Sequence, residues 1–195
     1  MLGERLQDFK IILASGSPRR QEYCRQLGLD FEIRIKEVEE NYPSNLKGQE
    51  ITEYLAKLKA DVFLKELKPN EIVITSDTVV WHENKALGKP ASREEAFTMI
   101  KSMSNKYHEV ITSVCFTSGK KQSIETCVTK VKFIKLDEGE IDYYINHFKP
   151  FDKAGAYGIQ EWIGHIGIEE IQGSYTNVVG LPTHLVYKKL MGMVG

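Results

Sequence analysis

Apolar residues along this chain fall into three patterns: short continuous runs, two-residue alternation and helical recurrence. Ile11-Ile12-Leu13-Ala14 and Ile72-Val73-Ile74 are continuous runs, which predict strands buried on both faces. Phe31, Ile33 and Ile35 alternate with polar residues and predict a strand with one solvated face. Ile51, Leu55, Leu58 and Val62 recur at helical spacing, predicting a long helix over residues 49–67 that Pro69-Asn70 stops. Strand patterning resumes at Val79-Val80-Trp81, so Asp77 is expected just past the end of the strand at 72–74, and residues 82–85 read as a polar turn. Ser92 and Glu95 form a capping box ahead of the helical face Phe97, Ile100 and Met103. Residues 108–117 and 121–133 predict two strands joined through Ser118-Gly119. In the second, Ile124, Thr126 and Val128 hold one parity and Val131 and Phe133 the other, which predicts a bulge near Lys130. Asp137 and Glu140 cap a further helix with the face Ile141, Tyr144, Ile145 and Phe148. A loop over 150–160, a short strand over 166–171 and a last helix over 182–190 complete the pattern.

Strands alternating with helices, followed by a hairpin, argue a mixed-sheet α/β fold. Neither a repeat nor a long linker interrupts it, so a single domain over residues 1–195 is expected. The formal net charge of −1 gives no electrostatic reason for a nucleic-acid or membrane partner, and no stretch of 18 apolar residues is present. Cys24, Cys115 and Cys127 are odd in number and lack C-x-x-C spacing. They are expected to be reduced, packed thiols of a cytoplasmic protein.

Candidate chemistry concentrates in the first strand-to-helix turn, Leu13-Ala14-Ser15-Gly16-Ser17-Pro18-Arg19-Arg20. Ser17 is placed as an N-cap with Pro18 at the first helical position, and Gly28 ends the helix. Arg19 and Arg20 then stand at the positive end of the helix dipole, an unfavourable place for cations unless an anion binds there. Read as unpaired side chains, they either collect a phosphate or point into water. Asp77 is placed to hold a divalent metal, to take a proton from water, or to cap its own turn. Glu40, Lys59 and Lys89 read by themselves as surface residues, Lys89 being the more constrained between Gly88 and Pro90. The chain contains no G-x-x-x-x-G-K-[ST], no G-x-G-x-x-G after a strand, no H-E-x-x-H and no G-x-S-x-G, which removes the common nucleotide, zinc and serine-hydrolase signatures.

Together, the opening turn, Ser76-Asp77-Thr78-Val79-Val80, Gly88-Lys89-Pro90, the block from Phe151-Asp152-Lys153 to Gly158-Ile159-Gln160, and Gly173-Ser174-Tyr175-Thr176-Asn177 through Leu181-Pro182 resemble the successive motifs of the Maf family, in order and spacing. The resemblance spans essentially the whole chain. It implies an elongated mixed sheet with flanking helices, two lobes and an active cleft between them, as in inosine triphosphatase-like folds. It further implies a nucleoside triphosphate pyrophosphatase of the dTTP- and UTP-preferring branch, using Mg²⁺ or Mn²⁺ to split the substrate into monophosphate and pyrophosphate, with CTP or modified pyrimidine nucleotides as further substrates. By motif, Asp77 corresponds to the catalytic acidic residue, with Glu40 as its companion toward metal. Ser15, Arg19, Arg20, Glu40, Lys59 and Lys89 correspond to phosphate-contacting and cleft residues, and Arg19, Thr78 and Gln160 to base-selecting positions. A homodimer is an admissible assembly. The chain departs from the branch where Glu161-Trp162 follows Gln160 in place of a glycine, and where Asn105 replaces a glycine before the His108 strand. The competing expectations are a nucleotide-binding regulator acting through a partner in cell division control, and a nucleic-acid-binding module, which the charge balance disfavours.

Overall fold

A computed structural model describes residues 2–119 and 121–193. The two continuous apolar runs lie side by side in the middle of its sheet. β1 (Lys10–Leu13) runs parallel to β2 (Phe31–Ile33) on one side and to residues 71–74 of β3 (Glu71–His82) on the other. β3 then pairs antiparallel with β5 (Tyr107–Ser118), β5 with β6 (Lys121–Phe133), and β6 with β7 (Ile168–Gln172). β4 (Lys85–Leu87) folds back on the far end of β3 through a two-residue turn at Glu83 and Asn84, both at positive φ, completing a seven-stranded mixed sheet among the described residues.

Three groups of helices cover this sheet. On one face lies α3 (Gln49–Asp61), whose Ala56 and Ala60 pack on Cys115 and Ile124. The opposite face is divided. At one end, α2 (Pro18–Gln26) and α8 (Thr183–Met193) bury Ile11, Leu13, Ile72, Ile74, Val114 and Phe116. At the other, α4 (Arg93–Met103) and α5 (Glu138–Phe148) bury Val80, Val110, Val131 and Phe133. α1 (Leu2–Arg5) docks on α8, α6 (Trp162–Gly167) leads into β7, and α7 (Tyr175–Val179) lies at the junction of the two ends.

Several sequence expectations are corrected. The helix expected over 49–67 stops at Asp61, and turns with a buried Phe63 follow it. Asp77 is not past a strand end: β3 is continuous from Glu71 to His82, and Asp77 pairs opposite Ser113. The change from apolar to polar residues at Thr75 marks the loss of a neighbouring strand, because β1 stops beside Ile74 and β4 begins beside Val80. No bulge breaks the pairing of β5 with β6, which is regular from Ser118↔Lys121 to Tyr107↔Lys132; the only shift in β6 is toward β7, between Lys132 and Phe133. The parity change there reflects a change of cover: Ile124 faces α3, whereas Val131 and Phe133 face α4 and α5. Ser17 sits at the N-cap of α2 without a side-chain cap bond, and the Ser92 box is one-sided, since Glu95 accepts from Ala91 N–H. The Asp137–Glu140 box is complete, Asn105 takes positive φ in the turn before β5, and the three cysteines are free.

Two polar side chains inside this framework have structural work. Arg20 is not an unpaired cation: its guanidinium donates to Gly180 O at 2.9 Å, Ser76 O at 3.0 Å and Thr78 Oγ1 at 2.9 Å. Removal from water lowers its pKa, and the Asp77 carboxylate opposes that shift. Arg20→Ala strands two carbonyls and is expected to lower unfolding free energy by about 2–3 kcal/mol in urea titrations; an Arg20→Ala protein as stable as the parent contradicts the strut. His108 is buried between Phe133 and Tyr157, with Nε2 at 2.7 Å from the Tyr157 hydroxyl. Burial first, and His82 second, pull its pKa down to about 3. Between that value and the ordinary one near 6.5 the unfolded chain holds the additional proton. The resulting stability is whole above about pH 6.5 and is lost as pH falls toward 3, by up to roughly 4–5 kcal/mol. His108→Phe is expected to flatten the acid slope of unfolding free energy over that window, and an unchanged slope contradicts the assignment.

Candidate active site

Between the end of β1 and the start of β4, residues 75–79 of β3 have no strand partner on one edge among the described residues. A cleft of about 670 Å³ opens there, within the range of small-molecule sites. It wraps around the exposed edge, so both faces of β3 contribute. The pleat sends Thr75 and Asp77 toward α3 and Thr78 to the opposite face. Thr75 Oγ1 donates to Ala56 O of α3 at 2.6 Å, and Thr78 Oγ1 meets Arg20 and Thr112.

On the α3 face, Lys59 near the C-terminus of that helix places its ammonium between two carboxylates, 2.7 Å from Asp77 Oδ1 and 2.9 Å from Glu40 Oε2. The Asp77 side chain is nearly buried, at 11% exposure, whereas that of Glu40, on the irregular segment after β2, is 54% exposed. Asp77 Oδ2 has no hydrogen-bond partner among the described residues. The start of α2 closes one end of the cleft. Ser15 is buried and its Oγ accepts from Ser17 N–H at 3.3 Å; the first turn of the helix holds no acidic residue and no side-chain cap. Arg19 reaches across, donating to Val179 O at 3.3 Å and pairing with Asp152 at 3.2 Å. Lys89 lies exposed on the lining, on a loop tied down by Gly155 N–H donating to Gly88 O at 3.0 Å.

The far end of the cleft is formed by the segment from Asp152 to Gln160 around a single 3₁₀ turn, Ala154–Ala156. Gly155 takes φ of +68°, and a Cβ there would lie 2.8 Å from a Val80 methyl, so this turn is closed to other residues. Gln160 lines the cleft with an amide that makes no hydrogen bond among the described residues. Thr78 differs. Thr112 donates its hydroxyl proton to Asn177 O at 3.3 Å, so Thr78 must donate to Thr112 while accepting from Arg20. The Thr78 hydroxyl therefore anchors Arg20 and keeps one lone pair to offer.

All of the residues singled out in the sequence, Ser15, Arg19, Arg20, Glu40, Lys59, Asp77, Thr78, Lys89 and Gln160, line this one cleft. Sequence reasoning gave no individual role to Asp152, Lys153, Thr112 or Asn177. Asn177 is fully buried and donates to Val110 O and Thr129 Oγ1, both at 2.9 Å, joining α7 to β5 and β6. The available signal was Thr112 within the apolar run of β5 and an asparagine directly before Val178-Val179.

The Asp77 and Glu40 carboxylates are hard oxygen donors suited to Mg²⁺ or Mn²⁺, and no cluster of three or more metal-binding side chains occurs among the described residues. That donor set fits an ion completed by phosphate oxygens and water, which is how Mg²⁺ is commonly held.

The profile of the family described as Maf-like protein matches residues 10–193. A protein of Flavobacterium johnsoniae named dTTP/UTP pyrophosphatase is 60% identical over 194 residues, covering 100% of each chain. Proteins of the same name from Christiangramia forsetii and Bacteroides fragilis are 57% and 50% identical, covering 100% and 95% of this chain and 99% and 96% of their own lengths. Among solved structures, the Ham1 protein of Staphylococcus aureus superposes with a TM-score of 0.54 over 94% of this chain and 99% of its own, at 15% identity, a likeness of fold. On its sequence over almost its whole length, this chain belongs to the Maf family.

Proposed function

We propose that this protein is a nucleoside triphosphate pyrophosphatase that splits dTTP and UTP into the nucleoside monophosphate and pyrophosphate. The observation that carries the reading is the Lys59 ammonium held between Asp77 and Glu40 inside a cleft whose other end offers the free amide of Gln160. The names of the Flavobacterium and Christiangramia relatives support the same substrates.

A triphosphate brings about four negative charges, which must be offset before water can approach the α-phosphorus. Arg19, Lys59 and Lys89 line the cleft for that purpose, with the uncapped start of α2 as a further anion-attracting element. Lys59 has three donors, of which one goes to Asp77 Oδ1 while Glu40 pairs with its charge, so a donor remains for a phosphate oxygen. Asp77 Oδ1 is fixed by Lys59, which leaves Oδ2 to take the proton of the attacking water. Asp77 and Glu40 would hold a divalent cation. Such an ion supplies charge neutralisation on the phosphoryl oxygens and lowers the pKa of bound water. Arg20 acts from behind, keeping α2, β3 and the Gly180 turn in register.

Base choice falls to Gln160. A glutamine amide donates and accepts side by side, matching the carbonyl and adjacent N–H that thymine and uracil share. Adenine lacks that carbonyl and N–H pair, and guanine, which shares it, is told apart by its second ring and its 2-amino group. No observation favours a purely regulatory role.

Side-by-side kcat/KM values for dTTP, UTP, ATP and GTP test the reading: the two pyrimidine nucleotides are expected to lead by a factor of ~10² or more, as for sites that read a substrate by hydrogen bonds. Asp77→Asn is expected to lower kcat by about 10²–10⁴ with the fold intact by circular dichroism. Purine triphosphates as the better substrates, or a folded Asp77→Asn protein of parental activity, would overturn it.

A further inference from the structure

Behind the Gln160 end of the cleft lies a chain of polar contacts that the reaction chemistry leaves unused. Gly158 N–H donates to Tyr144 Oη at 3.0 Å, and Tyr144 donates to Glu161 Oε2. The other oxygen of Glu161 forms an ion pair with Lys153 Nζ at 3.1 Å; Lys153 also donates to Asp152 Oδ1 at 2.6 Å, and Asp152 Oδ2 pairs with Arg19. Tyr144 is fully buried, and Lys153 is 8% exposed at the wall of the cleft. Burial and the adjacent Glu161 raise the Tyr144 pKa far above its ordinary value, so its hydroxyl remains the donor toward Glu161. Neither Tyr144 nor Glu161 lines the cleft.

A second observation ties Glu161 to Gln160. A Cβ placed on Gly158 would lie 2.9 Å from Glu161 Cδ and 3.0 Å from Gln160 Nε2. The Glu161 carboxyl and the NH₂ end of the Gln160 amide therefore both flank the bare Cα of Gly158, with no hydrogen bond between them among the described residues. A carboxylate beside Nε2 favours that orientation of the amide over the flipped one, which would bring Oε1 toward the negative charge. The orientation decides what the base edge must offer. Uracil and thymine present a carbonyl and then an N–H. Cytosine presents an amino donor and then an acceptor nitrogen, and a flipped glutamine would suit it.

We propose that Glu161 is a positioning residue for base choice, holding the Gly158 backbone through Tyr144 and biasing the Gln160 amide by its charge toward the orientation that accepts uracil and thymine and disfavours cytosine. The proposal rests on the dTTP/UTP reading of the cleft. It asks of Glu161 no contact with the substrate.

The test measures Kd for UTP, CTP and inorganic tripolyphosphate by calorimetry in the Asp77→Asn background, where turnover is suppressed, with and without Glu161→Gln. Glutamine keeps the volume and removes the charge. The UTP-over-CTP preference is expected to shrink about tenfold in the Glu161→Gln protein, while tripolyphosphate, which has no base, binds within about twofold of before. Tyr144→Phe, which removes the donor to Glu161 and the acceptor of Gly158, is expected to narrow the preference in the same direction and decides the matter if Glu161→Gln does not fold. An unchanged UTP-over-CTP ratio, or a loss of tripolyphosphate affinity in step with UTP, would overturn the proposal. Failure of the unsubstituted protein to cleave dTTP or UTP would instead overturn the reaction assigned to the cleft, with these binding ratios still deciding the role of Glu161.

Discussion

The site depends on one constraint in the sheet: β3 is longer than the strands on one of its edges. β5 accompanies it throughout, but β1 leaves beside Ile74 and β4 arrives only beside Val80. A stretch of extended backbone is thereby held rigidly on one side and left open on the other. Ligands of α/β sheets commonly bind where strand pairing gives way to a crevice, and here the crevice is interrupted pairing along a single strand. Asp77 sits in the middle of it, fixed by the ladder to β5 and by Lys59 from α3. A carboxylate on a paired strand is positioned more sharply than one on a loop.

The opposite face of the same stretch carries a polar seam between two apolar clusters. One cluster gathers around α2 and α8, the other around α4 and α5. Between them run Arg20, Thr78, Thr112 and Asn177, each bonded to the next element. An apolar filling at this seam would merge the two clusters into one core. A hydrogen-bonded seam keeps the cleft accessible to polar ligands and satisfies most of its buried groups, Asn177 Oδ1 and Ser76 Oγ being buried without a partner. This is why Arg20, which at sequence level reads as a cation in need of an anion, is consumed largely by carbonyl and hydroxyl oxygens of the protein.

Much of this was legible in the sequence. The runs at 11–13 and 72–74 are buried on both faces, so their patterning carries a direct signal, and the capping pair at Asp137 marks the start of α5 without ambiguity. The fold class and the residues that meet in the cleft were likewise accessible through motifs that lie far apart in the chain. What was not legible depends on partners supplied from a distance. Polar residues at 75–78 resemble a strand end when the neighbouring strand, not the strand itself, is what stops. The parity change in β6 resembles a bulge when the cover changes from α3 to α4 and α5. Arg20 finds Gly180 across 160 residues, and Glu161 finds Tyr144 on another helix, contacts that no local pattern encodes.

The central claim is that water, with its proton passed to Asp77, attacks the α-phosphorus and expels pyrophosphate. Hydrolysis of dTTP in water enriched in ¹⁸O, with mass analysis of the products, tests this directly. The account predicts the heavy oxygen in the nucleoside monophosphate and none in the pyrophosphate. Label in the pyrophosphate, or release of inorganic phosphate with a nucleoside diphosphate, would contradict it.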